Sequence, residues 1–364
     1  MVRSFVSAAA LIAVGMSASA NAAVFNTANL AVIQAGDGSA ALANNSVYSL
    51  LEITKVAGQV SPVQTIAISG QTTNPMWTSA TATSTSYLSR SQSGDIVFSG
   101  HTSRGTSPFP NANTITGRAV ATVDVNGNYA QNIAYTGSSG QQTRSGLVFS
   151  SGTTFAVDQA GLYASSAVAA NLGGNFRNGR IFGGTGFVLQ QSSTAANIVV
   201  SQVGGTSLAP TIAGLAGLTN ISSAQDFYML DSAGTGTFDL LYITTNTSAT
   251  AGSILKFQNV SGTWTPRGSA VTTGLFALAA EVLPTGGIAL YATSGNGATS
   301  ANTVLGFNDT AGAGFNIALG GATTLYTTGV NTTLKGIELA PIPAPGSLAL
   351  LGLGGLVAIR RRRN

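Results

Sequence analysis

From residue 24 to residue 340 the chain lacks sustained helical periodicity, and that absence restricts the fold more than any other feature. Apolar residues alternate or come in short runs, and β-branched residues, Gly, Ser, Thr and Asn dominate, which is strand chemistry. Leu30-Ala31-Val32-Ile33, Ala119-Val120-Ala121-Thr122-Val123, Ile198-Val199-Val200 and Leu240-Leu241-Tyr242-Ile243 are examples. Turn pairs separate such runs: Asp37-Gly38, Asn126-Gly127, Ser139-Gly140, Asn178-Gly179 and Asn296-Gly297. Val123 to Tyr129 reads as a hairpin, because Asn-Gly supplies the two positive-φ residues of a type I′ turn. Only Ala213–Leu218 and Leu275–Leu283 leave a short helix in competition.

Many short strands in one body of this size imply a large sandwich, a β-helix or a propeller. Internal similarity favours the last. Leu241-Tyr242-Ile243-Thr244 recurs as Leu290-Tyr291-Ala292-Thr293 at an offset of 49, and Leu255-Lys256-Phe257-Gln258 as Leu305-Gly306-Phe307-Asn308 at 50. Gly262-Thr263-Trp264 matches Ala313-Gly314-Phe315 at 51. A unit of roughly 50 residues fits a four-stranded blade, whereas a β-helix repeats over a much shorter period. Division of residues 24–340 by that unit predicts an all-β propeller of six or seven blades, with seven favoured. A lone N-terminal strand at Leu30–Ile33 is expected to complete the blade that contains Leu334–Leu339, which would close the ring and hide sheet edges.

The charge balance concerns the chain ends. The 15 Lys and Arg against 11 Asp and Glu give a net +4, but Arg3 and Arg360 to Arg363 account for five of the cations. The body is therefore near neutral, with scattered single cations and no stripe to follow a phosphate backbone, so a nucleic-acid partner is not expected. Disorder is excluded by a 44% hydrophobic content, and the absence of Cys removes disulfides, thiolate zinc sites and cysteine nucleophiles. Residues 1–23 have the parts of a secretory signal: basic Arg3, the apolar stretch Ala8 to Val14, and the small-residue site Ala20-Asn21-Ala22 that signal peptidase reads. Residues 341–364 combine Pro341-Ile342-Pro343-Ala344-Pro345-Gly346-Ser347, the apolar run Leu348–Ile359 and the Arg block. That run reaches only about 18 Å as a helix, short of a ~30 Å hydrocarbon core, with the arginines held on the cytoplasmic side. It reads as a transient inner-membrane hold.

The order of a Pro-rich motif, a Gly/Leu-rich apolar segment and a terminal Arg cluster resembles the PEP-CTERM sorting signal of exported bacterial proteins. The matching residues are Pro343, Ala344, Pro345, Gly346 and Arg360, Arg361, Arg362, Arg363, with Ala344 standing where Glu is usual. The resemblance implies processing near the motif by an exosortase, a membrane transpeptidase, and release or re-anchoring at the envelope. Some proteins with this tag carry propeller bodies, and short motifs here are similar to theirs. They are Gly36-Asp37-Gly38-Ser39, Tyr87-Leu88-Ser89-Arg90-Ser91, Asp239-Leu240-Leu241-Tyr242, Lys256 with Gly262-Thr263-Trp264, and Leu334 to Pro341. That likeness implies a fold and no activity.

Residues with catalytic chemistry are sparse. His101 is the only histidine, which excludes a two-His metal site, and it reads as a solvated turn residue after Asp95–Gly100. Among the carboxylates, Asp226, Asp231 and Asp239 are near enough in sequence to converge, while Asp37, Asp124 and Asp309 sit where Asx-turns account for them. No regular calcium-ligand series is present, so no cofactor is expected, a structural calcium ion being the one alternative. Gly183-Gly184-Thr185-Gly186 and Gly312-Ala313-Gly314 lack a strand-to-helix setting and read as turns. Trp264, Tyr242 and Tyr291 fall inside the repeat and are expected in the core. Trp77, in Asn74-Pro75-Met76-Trp77-Thr78, is the candidate for a ligand surface.

Together these features predict a secreted or cell-surface protein with a structural or adhesive role toward extracellular polysaccharide. The alternative is a carbohydrate-active hydrolase or lyase with carboxylates gathered at the propeller channel. A hydrolytic carboxylate pair would have to lie about 5–10 Å apart there.

Overall fold

The computed structural model describes residues 23–190, 199–219 and 221–343. The secretory-signal segment up to residue 22, and Ala344, Pro345, Gly346 and Arg360–Arg363 of the sorting segment, lie outside the described residues. Among the described residues no helix is long and apolar enough to cross a membrane.

The chain starts with three strands, β1 (Leu30–Ala35), β2 (Tyr48–Ile53) and β3 (Gln64–Ala67). A four-stranded meander follows: β4 (Ser89–Arg90), β5 (Ile96–His101), β6 (Gly117–Val123) and β7 (Tyr129–Thr136). The next comprises β8 (Thr143–Val148), β9 (Thr154–Asp158), β10 (Gly161–Tyr163) and β11 (Leu172–Gly173). Then come β12 (Phe176–Phe182), β13 (Thr185–Gln190), β14 (Val200–Gly205) and β15 (Pro210–Gly214). The fifth sheet is β16 (Ala224–Leu230), β17 (Leu240–Ser248), β18 (Ala251–Val260) and β19 (Thr263–Thr272). The sixth is β20 (Leu275–Val282), β21 (Ile288–Ser294), β22 (Thr303–Asp309) and β23 (Thr323–Thr327). Finally β24 (Thr333–Leu339) returns to β1, so the first sheet has the order β24-β1-β2-β3.

The first strand of every sheet packs on the first strand of its neighbours: β24 on β4, β4 on β8, then β12, β16, β20 and back to β24. Among the described residues the fold is therefore a six-bladed propeller with these strands around the axis. This is the lower of the two expected counts; the favoured seventh blade does not form among the described residues because blade length is uneven. The connections 36–47, 68–88 and 102–116 around the first two blades absorb residues that a uniform unit would assign to strands. The predicted closure holds in an extended form. Leu30 pairs with Leu339 and Val32 with Ile337, but three N-terminal strands, not one, join the C-terminal strand.

Two of the three repeat matches occupy equivalent places. Leu241–Thr244 and Leu290–Thr293 lie on second strands, and Leu255–Gln258 and Leu305–Asn308 on third strands. The third does not: Trp264 opens β19 at 4% exposure, whereas Phe315 sits in the β22–β23 connection at 72%. Neither segment with competing helical character is helical: one lies in β20, and the other runs from the end of β15 into a turn at Ala216-Gly217. Asn178-Gly179, expected as a turn, lies inside β12 instead, where the Asn178 amide donates to Asp226 at 2.7 Å and Gly179 packs closely on Val157. The Asn126-Gly127 hairpin forms, yet only Gly127 has positive φ, at 77°. The Asp124 carboxylate accepts the backbone N–H groups of Asn126 and Asn128, both at 2.8 Å, and builds a five-residue loop in place of the two-residue type I′ turn.

Apolar side chains fill the spaces between blades. One cluster joins Leu30 and Val32 of the first blade to Leu278 and Leu290 of the sixth and Tyr242 of the fifth. Tyr87 stacks on Phe276 with centroids 4.5 Å apart. Each buried side chain of this size contributes about 1.5–3 kcal/mol relative to exposure.

The few charges of the body also act between blades. Arg118 of β6 meets Asp158 of β9 at 2.6 Å, and Lys256 of β18 meets Asp309 of β22 at 2.8 Å. Arg180 of β12 binds Asp226 of β16 and Glu338 of β24. Lys55 meets Glu281 at 2.7 Å across the seam between the first and sixth blades. Asp309, expected in an Asx-turn, does accept Ala311 N–H at 3.1 Å, but its other oxygen serves Lys256 and the Tyr242 hydroxyl.

Lys335 on β24 is also fully buried, with its ammonium 5.5 Å from the centroid of the Phe276 ring. Its Nζ donates to the carbonyls of Ala82 at 2.7 Å and Gly297 at 2.5 Å, and to Thr85 Oγ1 at 3.3 Å. Burial pushes its pKa from 10.5 down to about 7, while three acceptors match the three donors of an ammonium and pull the other way. Between those values the unfolded chain holds the proton and the folded chain sheds it, so stability should rise with pH from about 7 to about 10.5. The rise is worth up to roughly 5 kcal/mol. Urea unfolding of the wild type should show it, and Lys335→Met should flatten it. A wild-type curve that is level over this range would refute the proposed titration.

Candidate functional site

The axis is the first place to look for the carboxylate pair of a hydrolase. Arg180 donates from Nη2 to Asp226 Oδ2 at 2.8 Å and to the Leu278 carbonyl at 2.6 Å, from Nε to Asp226 Oδ1 at 3.2 Å, and from Nη1 to Glu338 Oε2. Asp226 further accepts the Asn178 amide at 2.7 Å and the backbone N–H groups of Phe227 and Leu278. Glu338 accepts the Tyr228 hydroxyl at 3.0 Å. Arg90 donates to the Leu339 and Ala340 carbonyls, and Arg177 to Gln225. Burial opposes the charge on Arg180, but Asp226 and Glu338 overcome it and hold its pKa above the usual value. Burial raises the Asp226 carboxyl, and Arg180 offsets part of that rise. Asp226 and Glu338 are 0% and 1% exposed, so this cluster is a plug of paired charges.

Asp231 and Asp239 do not join Asp226. Asp239 accepts Ser232 N–H at 2.7 Å and its hydroxyl at 2.5 Å, while Asp231 accepts the N–H groups of Thr235 and Gly236. Both shape the β16–β17 connection. No group of three or more potential metal ligands occurs among the described residues.

His101 is buried, contrary to the solvated turn expected from sequence. It ends β5, where β4 is too short to pair with it, and Trp77 takes that place: His101 N–H donates to the Trp77 carbonyl at 2.8 Å and Trp77 N–H returns the bond at 3.0 Å. Burial, and then the nearby Arg118, lower the His101 pKa to about 3, so the ring is neutral at neutral pH. Trp77 itself is half-buried in this backbone bridge and lines none of the clefts described next.

One face of the disc carries the turns between first and second strands and between third and fourth strands. Most of the pronounced clefts open there, between blades. A cleft of about 350 Å³ lies between the fourth and fifth blades. Phe182, Phe187, Phe238 and Trp264 supply its rings, and Gln202, Asn259, Thr185 and Thr237 its polar groups. Phe182 packs against Phe238 at 5.6 Å and 62°, and both are half-buried. Gly183 makes the turn after Phe182 with φ +56°, and a Cβ there would meet the Phe238 ring at 3.0 Å. The tight turn therefore brings the two rings together. The Gln202 side chain is exposed and has no hydrogen-bond partner among the described residues, whereas Asn259 Oδ1 already accepts Gly262 N–H at 2.9 Å. No ionisable side chain lines this cleft.

Related clefts recur around the same face. One of about 200 Å³ at the seam is lined by Lys55, Tyr291, Phe307 and Asn308. Two more, of about 210 and 420 Å³, share Ser151, Thr153 and Ser207 near the third and fourth blades. A further cleft of about 190 Å³, with Asp37, Ser39 and Arg104, belongs to the opposite face.

Sequence reasoning assigned Trp264 to the core and passed over Phe182, Phe238 and Gln202. The available signal was an aromatic residue at the end of a first strand or just before a second strand in adjacent blades: Phe182 precedes Gly183-Gly184, and Phe238 precedes Asp239-Leu240.

No family model and no curated protein matches the chain. Among solved structures it is similar to a protein of Bacteroides uniformis ATCC 8492 provisionally named a 6-phosphogluconolactonase. The TM-score is 0.45 and the identity 13%, over 83% of this chain and 84% of that one. A protein of Bacteroides fragilis NCTC 9343 with the same provisional name gives a TM-score of 0.38 and 11% identity, over 83% of each chain. At these scores neither likeness carries an argument about activity.

Proposed function

We propose that this protein is an exported, envelope- or matrix-associated propeller with a structural or adhesive role, contacting extracellular polysaccharide through several weak sites. The observation that carries the reading is the contrast between a sealed axis and open clefts. Arg180, Asp226 and Glu338 satisfy one another on the axis, while uncharged, hydroxyl- and aromatic-lined clefts are spread around one face. Several weak sites on one rigid disc gain avidity from a repeating polymer with no single deep pocket. A hydrolase or lyase acting at the axis would require Asp226 and Glu338 to leave Arg180, at a cost set by their burial. Retention of the purified protein on immobilised neutral matrix polysaccharide, lost on competition with the soluble polymer, tests the adhesive role. Absence of retention would defeat it.

The sorting reading rests on Pro343, Ala344, Pro345, Gly346 and the Arg block. Both described chain ends leave from the cleft-bearing face, since Ala340 N–H donates to the Asn29 carbonyl at 3.0 Å. A tail held in the inner membrane would turn the clefts toward the bilayer, and cleavage near the motif would free them. Replacing Arg360–Arg363 with Ser should leave unprocessed protein in the membrane fraction of an exosortase-bearing host. Processing and location identical to the wild type would refute the sorting role.

A further inference from the structure

The geometry points to the cleft between the fourth and fifth blades as the principal subsite of this protein, built for a neutral pyranose unit of a polysaccharide; the assignment rests on the adhesive reading and specifies its ligand. Three features select that class.

The first is amphipathy. Phe182 and Phe238 are half-buried and contribute ring surface to the walls, with Trp264 and Phe187 buried more deeply behind them. A pyranose offers an apolar C–H face to such rings, and aromatic side chains are strong contact groups when one side is apolar and the other wet. The second is hydrogen bonding. Gln202 brings a free amide with two donors and one acceptor oxygen, and the Thr185 and Thr237 hydroxyls add donor-acceptor groups. An acyl chain would leave these unused, whereas sugar hydroxyls need both donors and acceptors. The third is charge. No Lys, Arg, Asp or Glu lines the cleft, and the loop that carries Phe238 holds Asp231 and Asp239 and no cation. A uronate or sulfated sugar would lose its hydration there with no counter-charge, so neutral units are selected. The volume of about 350 Å³ suits one or two sugar rings and lies within the usual range of ligand pockets.

Trp264 also supplies the test. The chain has two tryptophans, and Trp77 is outside the cleft, so Trp77→Phe leaves Trp264 as the only indole. In that background, cellohexaose, mannohexaose, maltohexaose and hexagalacturonate are titrated while the emission is followed. At least one neutral hexamer should shift the emission saturably, and hexagalacturonate should bind at least tenfold more weakly than the best of them. Phe238→Ala should weaken that binding roughly tenfold by loss of the stacking surface. Gln202→Ala, at an exposed position that leaves the fold intact, should weaken it severalfold.

Equal or tighter binding of hexagalacturonate would overturn the assignment. So would unchanged affinity in both variants, or a saturable response to a hydrophobic peptide with none to any sugar. Retention on immobilised polysaccharide separates the two levels. If Phe238→Ala is retained as well as the wild type, the cleft assignment falls and the adhesive reading stands. If the wild type is not retained, the adhesive reading itself fails.

Discussion

Arg180→Met should destabilise the protein by about 3–5 kcal/mol, because the substitution leaves two buried carboxylates without a cation. Arg180 is 1% exposed and joins three blades, holding Asp226 of the fifth and Glu338 of the first from its place on the fourth. Methionine fills similar space but supplies none of the four donated bonds. The half-buried pair Lys55–Glu281 gives the contrast. Its side chains are 20% and 28% exposed, and Lys55→Met should cost no more than about 1 kcal/mol despite an ion-pair distance of 2.7 Å. The loss in Arg180→Met should also shrink on acidification, since protonating the stranded carboxylates removes the buried charge. The triple variant Arg180→Met/Asp226→Asn/Glu338→Gln should recover part of the stability by removing all three charges. Urea unfolding midpoints at neutral and mildly acidic pH measure each value. A single-variant loss below about 1 kcal/mol would show that the axial cluster is not the inter-blade clamp argued above.

What could be read from sequence divides along sequence separation. The strand pattern and the pairing of Leu30–Ile33 with the final strand follow from local periodicity and from the repeat, and the folded chain contains them, whereas the Asn-Gly signal misleads at Asn178-Gly179, which is buried inside β12. Six of the expected six or seven blades form; the preference for seven came from dividing by an average unit length, a count that connections such as 68–88, without periodicity, inflate. The scattered cations look unpartnered in the sequence. Their actual partners lie far off in the chain: Arg118 with Asp158, Lys256 with Asp309, Arg180 with Glu338. Such pairings depend on how blades face one another beside and across the axis, which no local pattern encodes. His101 illustrates the same limit. A lone polar residue after a strand looks solvated until Trp77 folds back over the end of β5. The cleft was hidden for a related reason. Its rings come from two blades, and within either blade alone Phe182 or Phe238 is an ordinary turn-flanking aromatic.

Gly336→Val should have an effect of similar size by a different route. Gly336 lies in the middle of β24, the strand that closes the ring, and its N–H donates to the Ser86 carbonyl at 2.8 Å. A Cβ at this position would lie 2.5 Å from the Ser86 carbonyl oxygen and 2.7 Å from the Tyr87 carbonyl carbon, with the Leu88 nitrogen closer still. All three are backbone atoms, so no rotamer change can relieve the contact. The closing strand must move away from the segment before β4, and the neighbouring contacts of Lys335 with Ala82 and Thr85 move with it. Overpacking a rigid site costs about 1–3 kcal/mol, and displacement of Lys335 from its acceptors adds the penalty of an unpaired buried donor. Gly336→Val should therefore lose about 3–5 kcal/mol, and Gly336→Ala somewhat less. Hydrogen exchange then separates seam opening from general weakening. Amides of β24, β1 and β4 should lose protection first, while β13 and β17, in the fourth and fifth blades, keep theirs until global unfolding. Uniform loss of protection across all six blades would show that the ring does not open at this seam.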